Sequence, residues 1–267
     1  PAPEQLADLC QRVDRGMKAG AWGMSTGLIY VPSSYAKLDE LAAMAERVAA
    51  HNGIYASHIR SEGAGLIDAV EEALEIGRRS GAPVHVSHFK VTGQPYWGTV
   101  RVAARMIQEA RQAGQTVTAD QYPYIATSTS LGALMLPSWA REGGFDETAA
   151  RLQDPAQRDR LRGEVEQSLL ERPHIRIVSS KTFPDYAGRR LREIAKEKNV
   201  GVIDFVIELL TVEDPGAVNF ALHEEDVRFV MQLPWVATAS DGSVKAPGGA
   251  MVHPRSYGTF PRKLGYY

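Results

Sequence analysis

Apolar residues recur at helical spacing over 4–18, where Leu6, Leu9, Val13 and Met17 fall on one side and Gly20 offers a C-terminal stop. A short strand-like run follows at Met24 to Ile29, then a Pro32-Ser33-Ser34 loop and a helix with Leu38, Leu41, Met44 and Val48 on one face, ended by Asn52-Gly53. The cycle repeats. Ile54 to Ile59 reads as a strand before a helix carrying Leu66, Val70 and Leu74. Val84 to Phe89 reads as the next, before a helix at about 102–112, and Thr116 to Tyr122 as a fourth. Strand starts near 24, 54, 84 and 116 suit a parallel strand plus its crossover helix. No Gly-x-Gly-x-x-Gly follows the first strand, so the pattern favours an α/β fold of the (β/α) TIM-type barrel kind, or part of one, over a doubly wound sheet.

The rhythm breaks between Leu131 and Asp214. Residues 137–144 look like loop, Arg158 to Glu171 like a charged helix and Ile175 to Val178 like a strand, and the block reads as an insertion. Ala217 to Leu222, a helix over 224–231 and a strand over 236–240 are expected to restore the βα rhythm. The expected divisions are therefore barrel units over 1–130, a lid-like insertion over 131–214, and the last barrel strand or strands with a C-terminal loop over 215–267.

Composition narrows the function. The 267 residues, 44% hydrophobic, can fill a large core, and thirty Lys plus Arg against thirty-two Asp plus Glu leave a formal charge of −2. With no long basic block, nucleic acid is not expected as a partner. No apolar run approaches the roughly 20 residues that span a bilayer, so no membrane association is expected. A lone cysteine, Cys10, cannot form an internal disulfide, which fits a reducing, cytoplasmic setting.

Side chains at the C-terminal ends of parallel barrel strands converge on one mouth. The residues there are His58, His88 with Lys90 just beyond, Tyr122 and Asp241. Two imidazoles and a carboxylate from separate strands can hold a divalent cation such as zinc with a position left open, which points to a hydrolase. Spacing alone leaves each open to an ordinary use: His58 and His88 as packed histidines, Asp241 as a turn residue before Gly242, Lys90 and Arg255 as surface charges, Tyr122 as core, and Ser128 as one hydroxyl among several. His51, His174 and His223 read as ordinary packed or solvated histidines, and His85, out of phase with His88, as core or helix-facing.

At these residues the sequence resembles the N-acyl-D-amino-acid deacylases, or D-aminoacylases, of the metal-dependent amidohydrolase superfamily. The resemblance is carried in order by Gly23 to Tyr30, Tyr55 to Glu62, Ser87-His88-Phe89-Lys90, Asp120 to Tyr124, Ala239 to Gly242 and His253 to Arg262. It implies that His58 and His88 are metal-binding histidines and that Asp241, also at the metal, is the general base and then general acid. It further implies that Lys90, Tyr122, Ser128 and Arg255 hold the substrate α-carboxylate. The implied cofactor is zinc, one or two ions in the full-length enzyme. The implied partner is a small N-acyl-D-amino acid, cleaved to a carboxylate and a D-amino acid. Cationic donors suit an anionic substrate in a pocket of low dielectric.

The family's first-strand His-x-His, its cysteine ligand, its small β-domain and its C-terminal helices have no counterpart here. The chain is accordingly expected to be an internal piece of a longer deacylase, with weak or no zinc and little turnover on its own. Its open barrel is expected to need a homo-oligomeric partner or an N-terminal segment to cover its edges. Two rivals stay open: a cyclic amidase of hydantoinase or dihydroorotase type, and a non-catalytic binding protein on a degenerate barrel.

Overall fold

The computed structural model describes residues 1–244 and 251–267. Its first half realises the repeating pattern closely: α1 (Pro3–Lys18), β1 (Gly23–Gly27), α2 (Leu38–Ala49), β2 (Ile54–His58), α3 (Leu66–Ser80), β3 (Val84–Val86), α4 (Val100–Gln112) and β4 (Val117–Gln121). Then come β5 (Thr127–Ser130), α5 (Leu131–Met135), α6 (Phe145–Gln153), α7 (Pro155–Glu171), β6 (Ile175–Ser179), α8 (Leu191–Glu197), α9 (Val202–Val212) and β7 (Gly216–Asn219). The chain continues through α10 (Glu224–Met231), β8 (Val236–Thr238) and α11 (Arg255–Gly265).

The strands form two sheets. β1, β2, β3, β4 and β8 lie side by side in that order, all parallel, while β5, β7 and β6 form a separate antiparallel sheet. Among the described residues the parallel sheet does not close on itself, so the barrel expected from the sequence is present as an open arc with β1 and β8 at its edges.

One face of the arc carries the main core. Val84 and Val86 of β3 and Val117 and Ala119 of β4 pack with Leu66, Val70 and Ile76 of α3 and with Val100, Ala103 and Ile107 of α4, all essentially buried. Gly77 allows the close approach of α3 to the sheet, since a Cβ there would lie 2.3 Å from a Val84 methyl. Gly81, at φ +73°, ends α3 in the left-handed conformation that glycine adopts without a Cβ penalty. Strand alternation puts Ala56, His58, His85, Thr118 and Asp120 on the opposite, concave face.

A second core lies between 131 and 217. Leu152 of α6, Leu161 and Val165 of α7, Ile177 of β6, Ile194 of α8 and Val206 and Leu210 of α9 surround it. The strand expected at 217–222 is β7, and it belongs to this smaller antiparallel sheet rather than to the barrel. Its pairing with β5 and β6 satisfies backbone groups that the arc never reaches. The segment expected as a C-terminal loop carries α11, whose Arg262 Nε donates to the Pro123 carbonyl at 2.8 Å. No helix among the described residues is long and apolar enough to cross a membrane.

Candidate metal centre and carboxylate pocket

At the C-terminal mouth of the arc a cleft of about 270 Å³ is lined by His58, Glu62, His88, Lys90, Tyr122, Ser128, Asn219, Asp241 and Arg255, among others. All seven residues singled out in the sequence face it. A larger groove of about 1220 Å³ lies among α3 and α4 on the outer shell, and two of its four lining acids, Glu72 and Glu75, are paired with arginines. The chemistry concentrates at the smaller cleft.

His58 ends β2 on the concave face. His88 lies two residues past the end of β3, with φ +41°, a left-handed conformation uncommon for a residue with a Cβ. This break in alternation corrects the expectation for His85. Because β3 ends at Val86, His85 and His88 are not held to opposite faces, and His85 lies on the concave side with Thr118 and Asp120 rather than among the helices. The two candidate imidazoles meet edge to face, with centroids 4.4 Å apart.

Glu62 joins them. Its Oε1 lies 2.9 Å from His88 Nδ1 and 3.9 Å from His58 Nε2, and the three donor atoms all fall within 4.8 Å of one another. Glu62 ends the Tyr55 to Glu62 run, whose sequence alone does not mark it as a ligand. The available signal was its place four residues after His58, beyond the strand end, where a loop folds back over the mouth.

The donor set fits a zinc ion. Zinc bonds of about 2.0–2.2 Å to imidazole nitrogen and carboxylate oxygen place tetrahedral neighbours about 3.3 Å apart, between the two separations above. His58 Nε2 is buried without a hydrogen-bond partner, a costly state for a ring nitrogen unless something coordinates it. Burial, the strongest influence, holds the His58 pKa down to about 4 against the opposing pull of Glu62, which keeps the ring neutral and its lone pair free.

Lys90 gathers the same atoms around a positive charge. Its Nζ donates to Glu62 Oε1 at 2.5 Å, and to the ring Nδ1 and carbonyl of His88 at 2.9 Å each. Burial pushes the Glu62 carboxyl up, but Lys90 and His88 outweigh it and hold it well below the usual carboxylate range. Burial disfavours the Lys90 ammonium, yet Glu62 and Tyr122 more than compensate and its pKa is raised.

The other wall is a second set of charges. Arg255 NH1 meets Asp241 Oδ2 at 2.8 Å, and Arg255 NH2 donates to the Ser128 carbonyl at 3.2 Å. The Tyr122 ring lies between two cations, 4.9 Å from the Arg255 guanidinium and 5.5 Å from Lys90 Nζ, with its hydroxyl buried and unpartnered. His253 anchors Arg255: its ring Nε2–H donates to the Ala126 carbonyl at 2.9 Å, and its Nδ1 accepts the Arg255 backbone N–H at 3.0 Å. Asp241, at φ +46°, opens onto the cleft but lies outside the three-donor group.

The remaining histidines serve locally. His51 pairs with Asp14 at 3.2 Å, His223 packs against Trp97, and the His174 carbonyl accepts the Phe220 N–H. Cys10 lies on α1 and takes no part in the donor group.

No family model matches the chain. A D-aminoacylase of Alcaligenes xylosoxydans xylosoxydans is 36% identical over 264 residues, 99% of this chain and 46% of that protein. The crystal structure of an N-acyl-D-glutamate deacylase from Bordetella bronchiseptica, complexed with zinc and a phosphonate inhibitor that mimics the tetrahedral intermediate, superposes with a TM-score of 0.79. It is 31% identical and covers 99% of this chain and 48% of its own. A D-aminoacylase structure described as defining a novel subset of amidohydrolases superposes at 0.76, with 31% identity, 100% of this chain and 48% of its own. The chain thus spans about half the length of the relatives it matches. Along nearly its whole length it is a homologue of the D-aminoacylases and N-acyl-D-amino-acid deacylases.

Proposed function

We propose that the cleft belongs to a zinc-dependent hydrolase that cleaves the amide bond of N-acyl-D-amino acids to a carboxylate and a D-amino acid. The observation that carries this reading is the buried, unpartnered His58 Nε2 beside His88 Nδ1 and Glu62 Oε1, across the cleft from Arg255 and Tyr122. Its relatives named as D-aminoacylase and N-acyl-D-glutamate deacylase give the substrate class.

His58, His88 and Glu62 hold the ion. Zinc, when bound, supplies Lewis acidity toward a carbonyl and activation of water at neutral pH. Arg255, with Lys90 and the Tyr122 hydroxyl, receives the substrate α-carboxylate, the guanidinium offering two parallel donors. Ser128 borders the same subsite. Asp241, already at the cleft wall beside Arg255, takes a proton from the attacking water at its carboxylate oxygen and returns it to the leaving nitrogen. The 131–214 block is the lid, since Leu134, Glu171 and Arg172 close one side of the cleft and restrict water and acyl groups. The edges of β1 and β8, unpaired among the described residues, call for a covering neighbour, either a second copy or further barrel strands.

The test is amine release from N-acetyl-D- and N-acetyl-L-amino acids by the protein with and without zinc. Zinc-requiring release from the D form, lost on Asp241→Asn, supports the reading. Release that is indifferent to zinc, or a preference for cyclic amides, contradicts it.

A further inference from the structure

Asp120 divides its carboxylate between two partners on the concave face. Oδ1 accepts the backbone N–H of His88 at 2.7 Å, and Oδ2 lies 2.7 Å from His85 Nε2. The other His85 nitrogen, Nδ1, lies 2.8 Å from Thr118 Oγ1. These contacts form a chain, Thr118 to His85 to Asp120 to the main chain of His88, built across β3 and β4 at a fixed register in which His85 pairs with Thr118.

The arrangement answers a specific strain. On either side of His88 the main chain stays in the ladder, since the Ser87 N–H donates to the Ser57 carbonyl and the Phe89 N–H to the Asp120 carbonyl. His88 itself is turned out at φ +41°, where a residue with a Cβ is disfavoured by roughly 1–2 kcal/mol. In that pose its N–H leaves the ladder, and the Asp120 carboxylate takes it instead. The same turn points the ring at His58 and Glu62 rather than along the strand.

We propose that Asp120, braced by His85, is a positioning residue that fixes the backbone of His88 and thereby aims its ring at the metal centre. This rests on the metal-site reading above, but concerns a different part of the molecule: neither Asp120 nor His85 belongs to the three-donor group or lines the cleft. Outer residues that orient a metal ligand typically cost 10–100-fold in metal affinity when removed.

Two readouts on the chain separate the bracket from the site it supports: amide hydrogen exchange at His88, followed by NMR, and the zinc affinity measured by calorimetry. In Asp120→Ala the His88 amide is expected to exchange at least about 10-fold faster and zinc to bind roughly 10–100-fold more weakly. Asp120→Asn, which keeps an acceptor oxygen, is expected to restore protection and to hold zinc within a few-fold of the parent. Unchanged exchange and affinity in Asp120→Ala overturn the proposal, as does an Asn variant that loses as much as the Ala variant. Should Asp120→Ala fail to fold, the part-exposed His85→Ala decides: faster exchange at His88 with weaker zinc supports the brace, and no change in either overturns it. A parent chain with a protected His88 amide and no affinity for zinc would sink the metal reading while leaving the backbone bracket standing.

Discussion

Lys90 and Glu62 form an ion pair of 2.5 Å in which neither side chain has more than 11% of its surface exposed. Removing one member strands the other charge in a medium that solvates it poorly, at about 3–5 kcal/mol. Glu62→Gln is therefore expected to lower stability by about that amount in urea denaturation. The double variant Glu62→Gln, Lys90→Met removes both charges together and is expected to recover most of the loss. A Glu62→Gln chain as stable as the parent would show that water reaches the pair.

Arg255 stands opposite, tied to Asp241 and to the Ser128 carbonyl. If it receives the substrate carboxylate, Arg255→Ala removes a charged hydrogen-bond donor set worth about 1.5–3 kcal/mol. Calorimetry should show an N-acyl-D-amino acid binding roughly 10–100-fold more weakly, with the corresponding uncharged amide little affected. Equal losses for both ligands would reject the carboxylate role.

His253 sets a pH dependence. Burial holds its pKa down to about 4 from an ordinary 6.5, against the opposing hydrogen bond to Ala126. Since the folded value lies below the unfolded one, the contribution of His253 to stability is complete above about pH 6.5 and is lost as pH falls toward 4. In that window the unfolded chain binds a proton that the folded chain refuses. The loss is on the order of 3 kcal/mol. His253→Gln should flatten the fall in stability over this range, leaving the part due to His58, whose pKa is also held near 4. A parent whose stability does not change between pH 6.5 and 4 would contradict this account.

Much of the arc was legible because its signals are local. Strands expected from about 24, 54, 84 and 116 begin at Gly23, Ile54, Val84 and Val117, each shortly after a glycine stop, at Gly20, Gly53, Gly81 and Gly114. β7 was misplaced because Ala217 and Val218 look the same whether they pair in the arc or with β5 and β6, and only long-range pairing decides. α9 went unread for a related reason. Its Val202–Val212 run is apolar on most sides and buried in the second core, so it shows little amphipathic rhythm.

At the cleft, strand-end logic placed His58, but alternation failed beyond Val86, where the main chain turns at His88. The turn carries His88 to the mouth, while regular alternation in β3 leaves His85 on the concave face rather than on its expected helix-facing side. Glu62 carried only the signal of its place four residues past His58, and His253 carried no positional signal of its own. Their importance comes from what the fold sets beside them: His88 and Lys90 in one case, Ala126 and Arg255 in the other.

The central claim is that His58, His88 and Glu62 share one ion, and a zinc titration of the chain, read by calorimetry and by metal analysis after dialysis, tests it most directly. In place of the weak or no zinc expected from the missing His-x-His and cysteine, the three-donor group predicts saturable binding of one equivalent, abolished by His58→Ala or His88→Ala and weakened by Glu62→Gln. Failure of the parent to bind zinc, or binding that survives both histidine substitutions, would contradict it.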